Sequence, residues 1–282
     1  MIRDLGNELI KMAYQKKNYI PVVGYVIFVL LCYLAWKTSQ AVLIKRVMSF
    51  GVDKVSAADY LDGLCFARIV LIPTFIVLMP IVMAALGGDC IAGEMQDGSL
   101  KLYMARPRSR GMTILIKFLA VYIAGFAYSA FFSIAGLITG VLLFGVAPAQ
   151  VVMLSGHFFG SQVTVMTNSE ALSLYGLTAL YFSFSLMTLG SMALFFSTVF
   201  NRMSSAAITV VTLYFVSFVT SSLPFAAALR PWLISEIMNN AFLIYISPVP
   251  WGKLTVNLAL LAIYICSFLL LSLLTFNYKD IK

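Results

Sequence analysis

The sequence predicts an all-α polytopic membrane protein: six transmembrane helices, an N-terminal interfacial helix and a short cytoplasmic helix between spans two and three. Three observations predict it. The 282 residues are 61% hydrophobic and only 11% charged, with a mean hydropathy of +0.96, far more apolar surface than a soluble core of this size needs. The charges cluster, leaving six charge-free windows at 18–36, 69–88, 118–169, 171–201, 203–229 and 254–278. A spanning helix needs ~20 predominantly apolar residues, and every window meets or nearly meets that length. Period-2 alternation, the mark of a membrane β-barrel, is absent. Backbone in lipid must satisfy its own hydrogen bonds, so the windows read as helices. Residues 1–282 form a single transmembrane domain.

In order along the chain, residues 1–17 read as an amphipathic helix lying in the membrane interface. Ile2, Leu5, Leu9 and Met12 fall on one face, with Arg3, Asp4, Asn7, Glu8, Lys11 and Gln15 on the others. This start is not a secretory signal, because no small-residue cleavage site follows the first apolar run. Spans are expected at 20–36, 69–87, 118–144, 172–199, 206–228 and 254–276. Between the first two lies a charged, part-helical outer loop, 37–68. The third window is long enough for two spans, but its second half, 150–169, carries Ser, Gln, Thr, His157 and Asn168 and reads as an outer loop. Between spans four and five the inner connection, 201–205, is very short. The stretch 224–253 holds Pro224, Pro231, Pro248 and Pro250; its apolar centre is too short to cross and reads as a re-entrant or interfacial segment.

Orientation follows the Lys/Arg bias. With the N-terminus in the cytoplasm, twelve of the nineteen Lys and Arg lie inside and seven outside, so both termini are expected to be cytoplasmic. The net charge of +8 is then a topological signal and needs no nucleic acid. Cys32, Cys65, Cys90 and Cys266 are scattered and read as free thiols, with a Cys32–Cys65 disulfide the alternative.

Several chemistries are not found. There is no phosphate-binding G-x-x-x-x-G-K-[S/T] loop, no G-x-S-x-G elbow and no H-E-x-x-H. His157 has no further ligands beyond nearby Met153 and Met166, so no metal site is expected. No catalytic residue is assigned, and the chain is read as no enzyme. None of the expected spans carries an ionisable residue in its interior, so no ion-coupling group is apparent.

The polar segment 88–117 stands out. Asp89, Glu94 and Asp97 open it; Lys101, Arg106, Arg108, Arg110 and Lys117 close it. Gly98-Ser99-Leu100 can end one helix and start another, with Ser99 able to cap the second. Pro107 fixes a turn before the third span. The residues alone fit equally a rigid docking helix and a basic loop that merely obeys the positive-inside rule.

Gly93-Glu94-x-x-Asp97-Gly98-Ser99-Leu100-Lys101, then Arg106-Pro107-x-Ser109-Arg110 and Lys117, resembles the signature of type-2 ATP-binding-cassette permeases. That family typically shows G-E-x-x-x-G-T-L, P-x-S-R and a lysine opening the third span; Ser99 replaces the usual Thr but keeps the hydroxyl. The ending Phe276-Asn277-Tyr278-Lys279-Asp280-Ile281 is similar to the family's F-x-x-[R/K]-D-I close. The resemblance covers the whole chain. It implies the membrane-spanning subunit of an exporter in the cytoplasmic membrane of a bacterium or archaeon. Two six-span halves, as second copies or paralogues, would pair in the lipid above separate ATPase subunits that hold ATP and magnesium. Segment 88–117 would be the coupling helix, with Glu94, Asp97, Gly98, Ser99, Arg106, Pro107 and Arg110 docking the ATPase and Arg202 a lesser contact. A translocation path between halves is expected near Ser183, Ser185, Thr188, Thr209 and Thr212, although Ser and Thr also glue helices together. The competing class is an ATPase-independent carrier or structural membrane protein.

Overall fold

The computed structural model describes residues 2–48, 62–100, 109–146, 150–154, 162–246 and 248–279, and it is almost entirely helical. Helix α1 (Ile2–Tyr14) leads through a 3-10 turn (Lys16–Tyr19) into α2 (Ile20–Met48). Helix α3 spans Gly63–Gln96, α4 Arg110–Phe144, α5 Asn168–Val199, α6 Met203–Ser222 and α8 Trp251–Tyr278. These last five and α2 are the six helices long and apolar enough to cross a membrane, which is the architecture of an integral membrane protein. Between α6 and α8, 3-10 turns at Pro224–Ala226 and Arg230–Trp232 precede the short α7 (Ile234–Asn239) and a 3-10 turn over Asn240–Tyr245. The prolines explain this broken path: each removes a backbone donor and fixes φ.

Helix α5 is the central strut. In its most apolar window 72% of residues are buried by the rest of the chain, against 17% for α2, α6 and α8. A capping box starts it: the Thr167 hydroxyl engages the third-residue backbone while the Glu170 carboxylate accepts from the Thr167 backbone N–H at 3.0 Å. Close approach to α3 rests on glycine, since a Cβ on Gly87 would lie 2.5 Å from Ala193 Cβ and 2.9 Å from the Gly190 carbonyl. At the opposite end of α3, a Cβ on Gly63 would fall 2.4 Å from the Gly140 carbonyl of α4. Small residues thus let backbones meet where lipid supplies no hydrophobic drive between helices.

Helix α3 is interrupted twice by π-turns, at Thr74–Leu78 and Asp89–Gly93, and each is held from a neighbour. Pro80 has no N–H for the Ile76 carbonyl four residues back; Tyr214 of α6 donates to that carbonyl at 2.9 Å. At the second turn, Ser197 Oγ of α5 donates to the Gly88 carbonyl (2.8 Å) and accepts from the backbone N–H of Ile91 (3.1 Å) and Ala92 (2.8 Å). One hydroxyl serves three buried backbone groups that a regular α-helix would have paired internally.

The segment expected as a loop at 145–171 contains a β-hairpin. Strands β1 (Gln150–Leu154) and β2 (Gln162–Met166) pair antiparallel, with Gln150 opposite Met166 and Leu154 opposite Gln162. Three of five residues in β2 are β-branched, and β1 has adjacent valines, the composition that favours strands over helices. All four cysteines are free thiols, so the Cys32–Cys65 disulfide does not form. The helices also begin and end beyond their charge-free windows. Consequently α3 takes in Arg68, Asp89 and Glu94, and α4 takes in Lys117. The expected spans 69–87 and 118–144 themselves hold no ionisable residue; these groups lie on the helices just beyond them, and Asp89, Glu94 and Lys117 are paired with side chains of neighbouring elements.

Candidate functional site

Helix α1, the last turn of α3, the first turn of α4, the α5–α6 connection and the end of α8 meet at one end of the bundle, the terminal end. Its centre is a buried ion cluster. Lys117, fully buried in α4, donates from Nζ to Glu94 Oε1 of α3 at 2.6 Å and lies 3.5 Å from Glu8 Oε1 of α1. Lys11 of α1 also pairs with Glu94 Oε1. Glu8 and Glu94 are 7% and 6% exposed. Two carboxylates and two ammoniums therefore neutralise one another at the junction of three helices. The geometry explains why α1 buries an acid: Glu8 shares the inward face with Leu5, Leu9 and Met12. A second pair, Lys17 Nζ to Asp89 Oδ1 at 2.5 Å, ties the α1–α2 turn to the second π-turn of α3. Gly93 makes room for that carboxylate, since a Cβ there would lie 2.1 Å from Asp89 Oδ1.

This arrangement corrects the reading of Glu94 as a surface docking residue. Helix α3 continues to Gln96, and just past the π-turn at Asp89–Gly93 Glu94 faces Lys117; residues 101–108 of the 88–117 segment lie outside the described residues. Glu94 Oε2 is buried without a hydrogen-bond partner among the described residues. The exposed tip comes immediately after, at Gln96, Asp97, Gly98 and Ser99. Gly98 adopts φ +71°, the left-handed region that ends a helix. A new helix opens at Ser99 and Leu100, with Leu100 buried as its anchor. The Ser99 hydroxyl donates backward to the Glu94 carbonyl at 3.4 Å; the residues it would cap lie outside the described residues. Arg106 and Pro107 lie outside the described residues, as does His157.

Arg110 serves the end of α8, not a free surface. Its Nη1 donates to the carbonyls of Phe276 (3.3 Å), Asn277 (3.1 Å) and Lys279 (2.8 Å). Lys279 in turn donates to the Thr198 carbonyl of α5 at 2.6 Å, a cation at a helix C-terminus where the backbone dipole favours it. Desolvation pulls the Lys279 pKa below its ordinary value. Arg202 is exposed in the connection between α5 and α6, at the same end as the Asp97–Gly98 tip.

The expected translocation residues divide. Ser185 and Thr188 are fully buried on α5, and Ser183 is 4% exposed, so these three lie inside the bundle and not on its outer face. Ser183 and Ser185 back-bond to the Ala179 and Tyr181 carbonyls at 2.7 and 2.8 Å. Thr209 lies on the more exposed α6 and back-bonds to Ser205 (2.8 Å), and Thr212 is exposed there. Sequence reasoning missed Glu8, Lys11 and Ser197. The first two carry a readable signal, an acid and a base three residues apart on a helix whose apolar face they flank. Ser197 carries none, because its role depends on a π-turn about a hundred positions earlier. Among the described residues no three His, Cys, Asp or Glu side chains converge as metal ligands.

The chain is similar to the "Uncharacterized protein YhcI" of Bacillus subtilis (strain 168), with 27% identity over 216 residues. That alignment covers 73% of this chain and 66% of the relative, just under two thirds of its length. The family model described as "Protein of unknown function (DUF2705)" matches residues 22–282, from the start of α2 to the end of the chain, and the chain therefore belongs to the DUF2705 family.

Proposed function

We propose that this chain is the membrane-spanning permease subunit of an ATP-binding-cassette exporter, driven by ATP hydrolysed on a separate subunit. One observation carries the reading. The exposed Asp97-Gly98-Ser99 tip sits one turn beyond an ion cluster that clamps α1, α3 and α4 together. A soluble partner pressing on that tip, and on Arg202 beside α6, moves several helices as one unit. The tip lies in the Gly-Glu-x-x-Asp-Gly-Ser-Leu stretch that resembles the coupling motif. On this reading Glu94 transmits force and does not touch the partner; Asp97, Gly98, Ser99 and Arg202 form the contact, and Arg110 braces the end of α8.

The test is purification of the tagged chain from its native membrane. A P-loop ATPase should co-purify, and only the complex should show nucleotide-dependent transport after reconstitution. Nucleotide-driven transport by this chain alone would overturn the proposal.

A second reading is favoured by one feature, the ionisable residues inside α3 and α4. An ATPase-independent, ion-coupled carrier would use a buried carboxylate–ammonium group such as Glu94–Lys117. Substrate-dependent proton or sodium flux in ATP-free proteoliposomes would favour the carrier.

A further inference from the structure

At the end of the bundle opposite the chain termini, α3 carries Arg68, 7% exposed. It lies five residues past Gly63, about 8 Å along the helix at 1.5 Å per residue. None of its three guanidinium nitrogens has a hydrogen-bond partner among the described residues. The guanidinium instead lies over the ring of Tyr245, 5.1 Å from its centroid. Tyr245 is itself 4% exposed, and its hydroxyl, which lies near Thr178, makes no well-formed hydrogen bond among the described residues. Tyr245 arrives from the 3-10 turn that follows α7, so two separately positioned elements bring a cation without a hydrogen-bond acceptor among the described residues and a buried hydroxyl together.

An arginine cannot shed its proton to escape burial. A tyrosine face relieves only part of the lost hydration. Five N–H donors in a planar fork remain, matched to the spacing of two oxygens on one oxyanion. The other buried cation of the fold, Lys117, has its carboxylates in place; Arg68 has none among the described residues.

We infer that Arg68 and the Tyr245 hydroxyl form a binding site for a phosphate oxyanion, carried by an anionic phospholipid headgroup or by a free phosphate. The site does not depend on the ATP-driven reading of the terminal end.

The experiment follows thermal unfolding of the purified chain in nanodiscs. One arm titrates inorganic phosphate in phosphatidylcholine discs at constant ionic strength. The other replaces about a third of the phosphatidylcholine with phosphatidylglycerol, without added phosphate. A saturable rise in Tm in the first arm assigns free phosphate; a rise confined to the second assigns the headgroup. In either case Arg68→Gln should abolish the rise and Tyr245→Phe should weaken it. Arg68→Lys, which keeps the charge but loses the fork, should weaken apparent affinity roughly tenfold, and it serves if Arg68→Gln does not fold. No rise in either arm for the native chain would overturn the inference. A rise of equal size in Arg68→Gln would overturn it as well.

Discussion

Replacing Glu94 by Ala should destabilise the fold more than it disturbs any surface. The substitution removes the acceptor of two ammoniums. On the Lys117 side, a fully buried cation keeps only Glu8, at 3.5 Å. Stripping one partner from a buried pair costs about 3–5 kcal/mol, and the surviving contact places this case near the lower end. On the Lys11 side the ammonium-bearing chain is 42% exposed, so that arm adds at most about 1 kcal/mol. A loss of about 3–4 kcal/mol is a large share of a typical 5–15 kcal/mol stability. Lys11→Ala alone should cost no more than about 1 kcal/mol. Replacing the buried pair together, by Glu94→Leu with Lys117→Met, should recover much of the single-mutant loss, because no charge is then stranded. Cys90 is a suitable reporter: it is 6% exposed, one turn before Glu94, and its thiol donates to the Leu86 carbonyl. In a chain retaining Cys90 as its sole cysteine, maleimide labelling against temperature reads opening of this end. Glu94→Ala should lower the labelling midpoint substantially and Lys11→Ala only slightly. If Glu94→Ala left the midpoint unchanged yet abolished binding of an ATPase, the interior placement argued above would be wrong and Glu94 would be a docking residue.

Ser197→Ala strands the Gly88 carbonyl and the Ile91 and Ala92 N–H groups, and Tyr214→Phe strands the Ile76 carbonyl; each unsatisfied group costs about 1–3 kcal/mol, so by denaturant titration Ser197→Ala should be the worse of the two. Burial raises the Glu236 pKa above its ordinary value, with Arg230 and Lys253 pulling it back; the native state therefore holds this proton more tightly than the unfolded chain, and stability falls as pH rises from the ordinary carboxylate value through the raised one. Glu236→Gln should accordingly be more stable than the native chain at pH 7 and equal to it below both values, as measured by Tm against pH. Charge reversal at the exposed tip and its neighbour, Asp97→Lys with Arg202→Glu, should shift stability by no more than about 0.5 kcal/mol while sharply reducing ATPase co-purification; retained co-purification would remove these residues from the contact.

The six spans were legible because lipid demands length and apolarity, and both are written locally in the chain. Helix ends were less so. A charge-free window marks where charges stop, whereas α3 runs past Asp89 to Glu94 because Lys17 and Lys117, contributed by distant parts of the chain, neutralise those acids. The Gly98 break was readable from glycine's access to positive φ. The inward aim of Glu94 was not, because it depends on a π-turn stabilised by Ser197 of another helix. The strands at 150–154 and 162–166 are less legible for a different reason: their polar residues argue against a span, and a short run of β-branched residues between helices is only a weak strand signal.

The π-turns of α3 have a consequence for rotational phase. Each accommodates about one residue more than a regular turn, and one residue corresponds to about 100° about a helix axis. Arg68 lies before both turns and Glu94 at the end of the second. Deleting a single residue in Thr74–Leu78 would let the backbone close into an ordinary α-helix with Glu94 still facing Lys117, whereas a deletion in a regular stretch of α3 would swing Glu94 about 100° away. The two buried charges of this helix are thus indexed to one another like keys on a shaft. A one-residue gap in a relative at either π-turn would keep that indexing, whereas one in a regular stretch of α3 would have to be matched by a relocated partner for the charge at position 94.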